Sequence, residues 1–303
     1  MKKYTLRYAY LTVASFLPLI LATAGIANAQ DTVTANKAAK ELRHEISIYG
    51  AGGISAFNYS LDMGGLKTDG ANSFSAIIGA GYTWNINDRL GIATGFEMTK
   101  YGAKASYDAI SGSRIYGKES GRFNFIYAMN NYVEEQEIIC LSIPAMLQYS
   151  VDLTNHTKFY MSGGCKLGLP VRAEATIFPE TVNTSGYYYF ENQSYTDKPE
   201  LGFVSGLNPD AVTDDIHVVH LSVTASLETG ARFSLKDNIL LYTAAYIDCG
   251  LNNIRSEKYR SDLINYQEYN TANLKYSSVL NTSHAGKARI FGAGLKVKVS
   301  FGW

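Results

Sequence analysis

Apolar and polar residues alternate one by one through much of this chain, and the clearest run is the last. Phe291, Ala293, Leu295, Val297, Val299, Phe301 and Trp303 take turns with Gly292, Gly294, Lys296, Lys298, Ser300 and Gly302. Successive strand side chains point to opposite faces, so one face of this strand, Lys287 to Trp303, is apolar and the other is Gly, Ser and Lys. The same period predicts strands at about His44–Gly53, Phe74–Asn85, Leu90–Thr99, Glu137–Val151, Lys158–Val171, Val219–Leu235 and Ile239–Cys249. In the last of these Leu240, Leu241, Ala244 and Ala245 break the alternation and leave the register open. Pro144 falls inside a strand, which predicts a bulge there.

The connections alternate in length as regularly as the residues do. Ser55–Asn72 is a polar loop with Gly64-Gly65 and Asp69-Gly70 turn signals, Gly102–Glu135 a second long loop, Arg172–Val218 a third and Gly250–Gly286 a fourth. Between them lie the short turns Ile86-Asn87-Asp88, Asp152 to Thr157 and Lys236-Asp237-Asn238. Eight strands with every long loop at one end predict an all-β fold: an eight-stranded antiparallel up-and-down transmembrane β-barrel with four long extracellular loops. A soluble sandwich has no reason to sort its loops by length. Ten strands result if the segment around Tyr187 forms a hairpin of its own.

The amino end changes the picture from sheet to membrane. Lys2, Lys3 and Arg7 precede an apolar run from about Leu11 to Ile26, and Ala27-Asn28-Ala29 supplies a small–x–small cleavage site. The expected organisation is an export signal over 1–29, a polar periplasmic lead-in over 30–43 and the barrel over 44–303. Past the signal no apolar stretch reaches the ~20 residues of a spanning helix. The exported chain is therefore either soluble or a closed barrel with lipid on its apolar side. The expected place is the outer membrane, with loops extracellular and termini periplasmic.

Composition narrows the partners. The net charge is +0, so no basic excess exists to neutralise phosphates, and a nucleic-acid partner is not expected. Twenty-three tyrosines and 27 glycines beside 6 prolines suit short strands and interfacial girdles. Cys140, Cys165 and Cys249 lie in predicted strands, odd in number and without a metal-ligand spacing, and read as small apolar strand residues. No cofactor is implied.

Several segments resemble known families. Leu141-Ser142-Ile143-Pro144-Ala145-Met146-Leu147-Gln148-Tyr149, with Lys158-Phe159-Tyr160-Met161-Ser162-Gly163-Gly164, resembles a hairpin of PorT-like small outer-membrane barrels. Tyr246-Ile247-Asp248-Cys249-Gly250-Leu251-Asn252-Asn253-Ile254 is similar to a second segment of that family, and Phe301-Gly302-Trp303 to the terminal signal read by the barrel-assembly machinery. The resemblance implies a barrel of the OmpA/OmpX type in the outer membrane and no single activity.

The candidate chemistry is sparse. The polar strand faces place Glu45, Glu97, Glu228, Lys166, Arg232, Lys296 and Lys298 in a lumen too narrow for more than side chains. Buried charges must pair, so these residues are expected to form an ion-pair network closed to all but water and small ions. Asp215-Ile216-His217, flanked by Asp214 and His220, resembles the Asp-x-His half of omptin proteases, but the chain has no Asp-x-Asp to complete it. A lipid-A hydrolase would need a Ser–His pair that the sequence does not single out. His44, His156 and His284 fall at strand ends or in loops, and Gly50-Ala51-Gly52-Gly53 lacks the Lys-Ser/Thr of a phosphate loop. The expectation is a non-enzymatic barrel with a structural or surface-interaction role, its tyrosine-rich loops meeting an external protein or glycan. The alternative is a narrow channel or an accessory of a secretion apparatus.

Overall fold

A computed structural model describes residues 42–62, 68–117, 121–236, 238–258, 260–266 and 274–303. The export signal, most of the lead-in, the Gly64-Gly65 turn and Asp237 lie outside the described residues. Eight strands form the wall: β1 (His44–Asn58), β2 (Thr68–Asn85), β3 (Leu90–Gly117), β4 (Gly121–Asp152), β5 (Thr157–Phe178), β9 (Ser222–Lys236), β10 (Ile239–Gly250) and β13 (Arg289–Gly302). Each pairs antiparallel with its neighbour, and β1 pairs with β13 from Glu45↔Gly302 to Asn58↔Arg289, which closes the ring. Closure leaves the ring without a free edge. At Gly53↔Gly294 the two backbones approach so closely that a Cβ on Gly53 would stand 2.1 Å from the Ala293 carbonyl oxygen. Glycine is required on both sides there.

The wall is greasy outside. Ile46 and Ile48 on β1, Phe74 and Ile78 on β2, Phe96 on β3, Leu147 on β4, Leu167 on β5, Leu227 on β9 and Val297 on β13 are all exposed, Phe96 at 73%. The register left open in Ile239–Cys249 is settled by pairing. Leu240, Tyr242, Ala244, Tyr246 and Asp248 point inward, and Leu241 and Ile247 are half-exposed outward. Leu240 breaks the pattern because it packs with Leu42, Tyr160 and Tyr242 in an apolar plug across the turn end of the lumen.

Three expectations need correction. Residues 102–117 and 121–135 are strand and not loop: β3 and β4 stay paired from Lys100↔Ile139 to Gly117↔Gly121. Residues 55–58 and 68–72 of the expected polar loop are strand as well, with Asp69-Gly70 inside β2. Pro144 causes no register shift. The β3 ladder resumes in phase, Thr94↔Ala145 then Glu97↔Ser142, having skipped the pairs beside the proline that has no N–H to donate. The bulge between β4 and β5 falls instead at Ile139/Cys140.

Beyond the wall the long segments build a second, folded layer. β6 (Thr181–Tyr188) pairs with the free flank of β4 and with β7 (Gln193–Thr196), so the Tyr187 segment does form a hairpin, outside the ring. β8 (Val212–Asp215) pairs with β5, and β11 (Ile264–Asn265) pairs with β12 (Lys275–Tyr276) over the opening. One bulge makes this layer possible. Asp108 of β3 faces Asn130-Asn131 of β4, and Asn131 takes φ 47° with its N–H donating to Asp108 Oδ1 at 2.8 Å. The extra residue moves the inward set from Tyr132, Glu134, Gln136 and Ile138 to Phe123, Phe125, Tyr127 and Met129. Without that shift the four aromatic and sulfur side chains would face water.

Candidate functional site

Two interiors are candidates for function, one stacked on the other. The lower is the lumen. Near the turn end Glu45 lies 3.6 Å from Arg232 and accepts from Tyr242 Oη at 2.6 Å and Asn85 Nδ2 at 2.9 Å. Lys298 sits over the Tyr242 ring, 3.8 Å from its centre. One tier up, Glu228 pairs with Lys296 at 2.8 Å and accepts from Tyr160 Oη at 2.5 Å, and Lys296 rests 4.1 Å from the Tyr49 ring centre. The top tier is Lys166, held between Glu97 at 2.8 Å and Asp248 at 3.0 Å. Asp248 also accepts from Ser226 Oγ at 2.7 Å and Tyr101 Oη at 3.2 Å.

The structure thus brings Glu45, Glu97, Glu228, Lys166, Arg232, Lys296 and Lys298 into one column. The sequence reading missed Asp248, because its strand had no assigned register. With it the column holds four carboxylates and four cations. Charge-assisted hydrogen bonds from tyrosine and serine satisfy the remaining lone pairs, which is the condition for tolerating buried ions. Between the tiers a cavity bounded by Ser47, Thr83, Gln148 and Ser162 offers about 40 Å³ to the centres of water molecules. That is room for a few waters and no larger solute.

The upper interior belongs to the head. Phe123 stacks on Tyr188 at 5.0 Å and meets Phe203 and Tyr266 edge-on at 5.8 and 5.1 Å. Phe125, Tyr127, Met129, Ile138, Ile177 and Val182 complete a core with less than 2% exposure each. Two buried polar residues that sequence alone did not single out lock down residues 277–285, the covering segment that follows β12. Glu134 accepts from Ser278 Oγ, from the Val279 N–H at 2.9 Å, from Gln136 Nε2 at 2.9 Å and from Tyr107 Oη at 3.1 Å. Burial holds its carboxyl above the usual carboxylate range, and the four donors pull it partly back. Arg255 donates to the carbonyls of Leu280, Thr282 and Ala285, a cage without a carboxylate, and burial lowers its guanidinium from the ordinary value.

The protease-like segment is tied into this lock. Asp214 accepts from the Ser278 N–H at 2.8 Å and from Asn281 Nδ2 at 2.9 Å, and the His217 N–H donates to Asn281 Oδ1 at 2.9 Å. Its contacts join β8 to the covering segment. Among the described residues no cluster of His, Cys, Asp and Glu gathers for a metal. Cys165 and Cys249 sit exposed on the outer wall and Cys140 is buried. Phe301 and Trp303 are exposed outward at the turn end, where Trp303 stacks with His44 at 5.8 Å and its carbonyl accepts from the Arg43 N–H at 3.0 Å.

No protein-family model matches this sequence, and no curated protein matches it. Among solved structures the chain is similar to Neisserial surface protein A at 12% identity, over 84% of this chain and 96% of that one, with a TM-score of 0.34. It is similar to the attachment invasion locus protein Ail of Yersinia pestis at 11% identity, over 86% and 100%, with a TM-score of 0.31. The outer membrane protein OprG of Pseudomonas aeruginosa matches at 13% identity, over 85% and 96%, also at 0.31. Scores this low carry no argument, and the barrel is established by the chain's own ladders.

Proposed function

We propose that this chain spans an outer membrane as a barrel closed by its own lumen side chains, and that its work is done by the folded head. In this reading it has no enzymatic activity. The observation that carries the proposal is the inverted wall: charges inside, and large apolar side chains exposed around the ring from Ile46 on β1 to Val297 on β13. In water such a surface would far exceed what a monomeric soluble protein shows, whereas in a bilayer it meets its own solvent. The wall then faces outer-membrane lipid, the short turns and both described termini lie in the periplasm, and the head lies outside the cell. Phe301 and Trp303, exposed on the last strand, are the contact for the assembly machinery. The OmpA/OmpX-type architecture suits this reading, and the PorT-like hairpin motifs support the narrower kinship.

The small polar-lined cavity favours one second reading, a narrow ion path. Planar-bilayer recording decides between them: a closed lumen gives no steady current, and a steady current from pure protein overturns the plug. The membrane placement has its own test in the cysteines. In lipid vesicles, Cys165 and Cys249 are expected to react with an uncharged, lipid-soluble maleimide and to resist a charged thiol reagent. Equal rates with both reagents would sink the placement.

A further inference from the structure

One surface of the head is built unlike the rest. The tip joining β6 to β7 exposes Tyr189 and Phe190, the latter 94% accessible. Covering a phenylalanine this bare would remove apolar surface from water at a gain of about 1.5–3 kcal/mol. The tip is nevertheless braced. Tyr187 packs edge-on against Tyr189 at 5.2 Å and donates to Asn192 Oδ1 at 2.7 Å, Asn192 takes φ 51°, and Tyr195 donates to Glu191 Oε2 at 2.6 Å. The turn that presents Phe190, and Tyr189 beside it, are therefore held in place before any partner arrives, which lowers the ordering cost of binding.

Charge and height say what that partner is. In a chain with a net charge of +0, residues 179–218 hold seven carboxylates (Glu180, Glu191, Asp197, Glu200, Asp210, Asp214, Asp215) against Lys198, a net −6. Glu191, Asp197 and Glu200 are exposed on the hairpin and the turn that follows it, and the adjoining stretch of the β3–β4 hairpin, residues 109–130, adds only Arg114 and Arg122 among its described residues. β6 runs beside residues 123–130 of β4, with Phe123 opposite Tyr188. Phe123 lies fifteen residues beyond Ile138, about 50 Å along the strand and about 35–40 Å of height at the ~40° tilt of such strands. That height takes the tip out of reach of the lipid, and its acidity disfavours polyanionic glycans.

Resting on the reading of the head as the working part, we propose that the Tyr189–Phe190 tip docks a protein segment that is cationic and carries apolar side chains. Phe190 is the anchor, Tyr189 packs beside it, and Glu191 with Asp197 and Glu200 supplies charge complementarity.

The test uses the full chain in phosphatidylcholine nanodiscs and three labelled probes: short peptides repeating Arg-Leu-Ser, Glu-Leu-Ser or Arg-Ser-Ser, with empty discs subtracted. Binding is expected for Arg-Leu-Ser alone. Phe190→Ala should weaken it by about tenfold or more, the loss typical of an aromatic anchor. Glu191→Gln with Glu200→Gln should flatten its salt dependence. Each variant must keep the gel shift between boiled and unboiled samples, which certifies the barrel. No binding, equal binding of the acidic peptide, insensitivity to Phe190→Ala, or displacement by a neutral oligosaccharide overturns the proposal. A chain that fails to enter the discs at all breaks the membrane reading instead, so the two failures are distinguishable.

Discussion

The same two strands, β3 and β4, enclose opposite materials at their two ends. Where Glu97 and Ser142 face each other the interior is charge and hydroxyl, and the outer face carries Phe96 and Leu141. Where Ser113 and Phe125 face each other the interior is aromatic, and the outer face carries Arg114 and Asn124. The backbone is one continuous ladder, so secondary structure is not what differs. What differs, on the proposed reading, is the solvent against the outer face. In the proposed placement lipid covers the lower outer surface and must be met with hydrocarbon, which leaves polar residues for the inside. Water covers the head, and there the ordinary hydrophobic effect puts the aromatics within. The lower half is then held by ion pairs and the hydrogen bonds around them, and the upper half by packing.

The comparison breaks first at Lys166. It is buried between Glu97 and Asp248, so Lys166→Met leaves two facing carboxylates without a counter-charge. Removing one partner of a buried pair costs about 3–5 kcal/mol. The urea midpoint for loss of the gel-shifted barrel in vesicles should fall accordingly, and adding Glu97→Gln with Asp248→Asn should restore part of it. An unchanged midpoint would mean that the column is decoration and that the wall holds itself.

Glu134 sharpens the comparison from the other side, because it is a polar residue in an apolar interior. Glu134→Leu strands Ser278, the Val279 N–H and Tyr107 without their acceptor, at roughly 1–3 kcal/mol. The cleavage rate of the head by a mild protease is the readout, and the gel shift should not move. Its pH dependence has a definite sign. The folded carboxyl titrates above its ordinary value, so its contribution is fully present below about pH 4.3, where the free carboxyl is protonated. That contribution is lost as pH rises through the folded value. The head should resist protease better at the acid end of this window, and Glu134→Gln should flatten the profile.

How legible each half was follows from the same contrast. The lower half speaks in strict alternation, and the outward and inward sets of β9, with Leu227 against Glu228, could be read directly. The lumen charges followed from the polar face, apart from Asp248, hidden because Leu240 faces inward as a plug and makes two adjacent leucines look equivalent. The upper half reads as loop on composition. Ala103, Ala105, Tyr107 and Ala109 do alternate with Lys104, Ser106 and Asp108, but small alanines carry little signal, and their partners lie across the head. Across Asn130-Asn131 two alternating runs are offset by one residue, so a window spanning both shows no period. Asn-Asn between an odd run of aromatics and an even run ending at Ile138 was the available clue. The locks at Glu134 and Arg255 depend on residues more than a hundred and twenty-five or more than twenty places away, respectively, and no local pattern encodes them.

Asn131 gives the smallest effect and the finest cut. Its φ of 47° lies in the left-handed region, which a residue with a Cβ adopts at a cost of roughly 1–2 kcal/mol unless it is asparagine or aspartate. Asn131→Gly keeps that conformation and loses only the side-chain bonds, to Glu180 Oε2 at 2.6 Å and from Ser106 Oγ at 3.3 Å. Asn131→Ala loses those bonds and the conformational ease together. The difference between the two variants in the temperature at which the head becomes protease-sensitive therefore isolates the backbone of the bulge, at about 1 kcal/mol. If alanine and glycine behave alike, the left-handed residue is not what holds the bulge. The turn of Phe123, Phe125 and Tyr127 inward would then have to come from the packing of the head core alone.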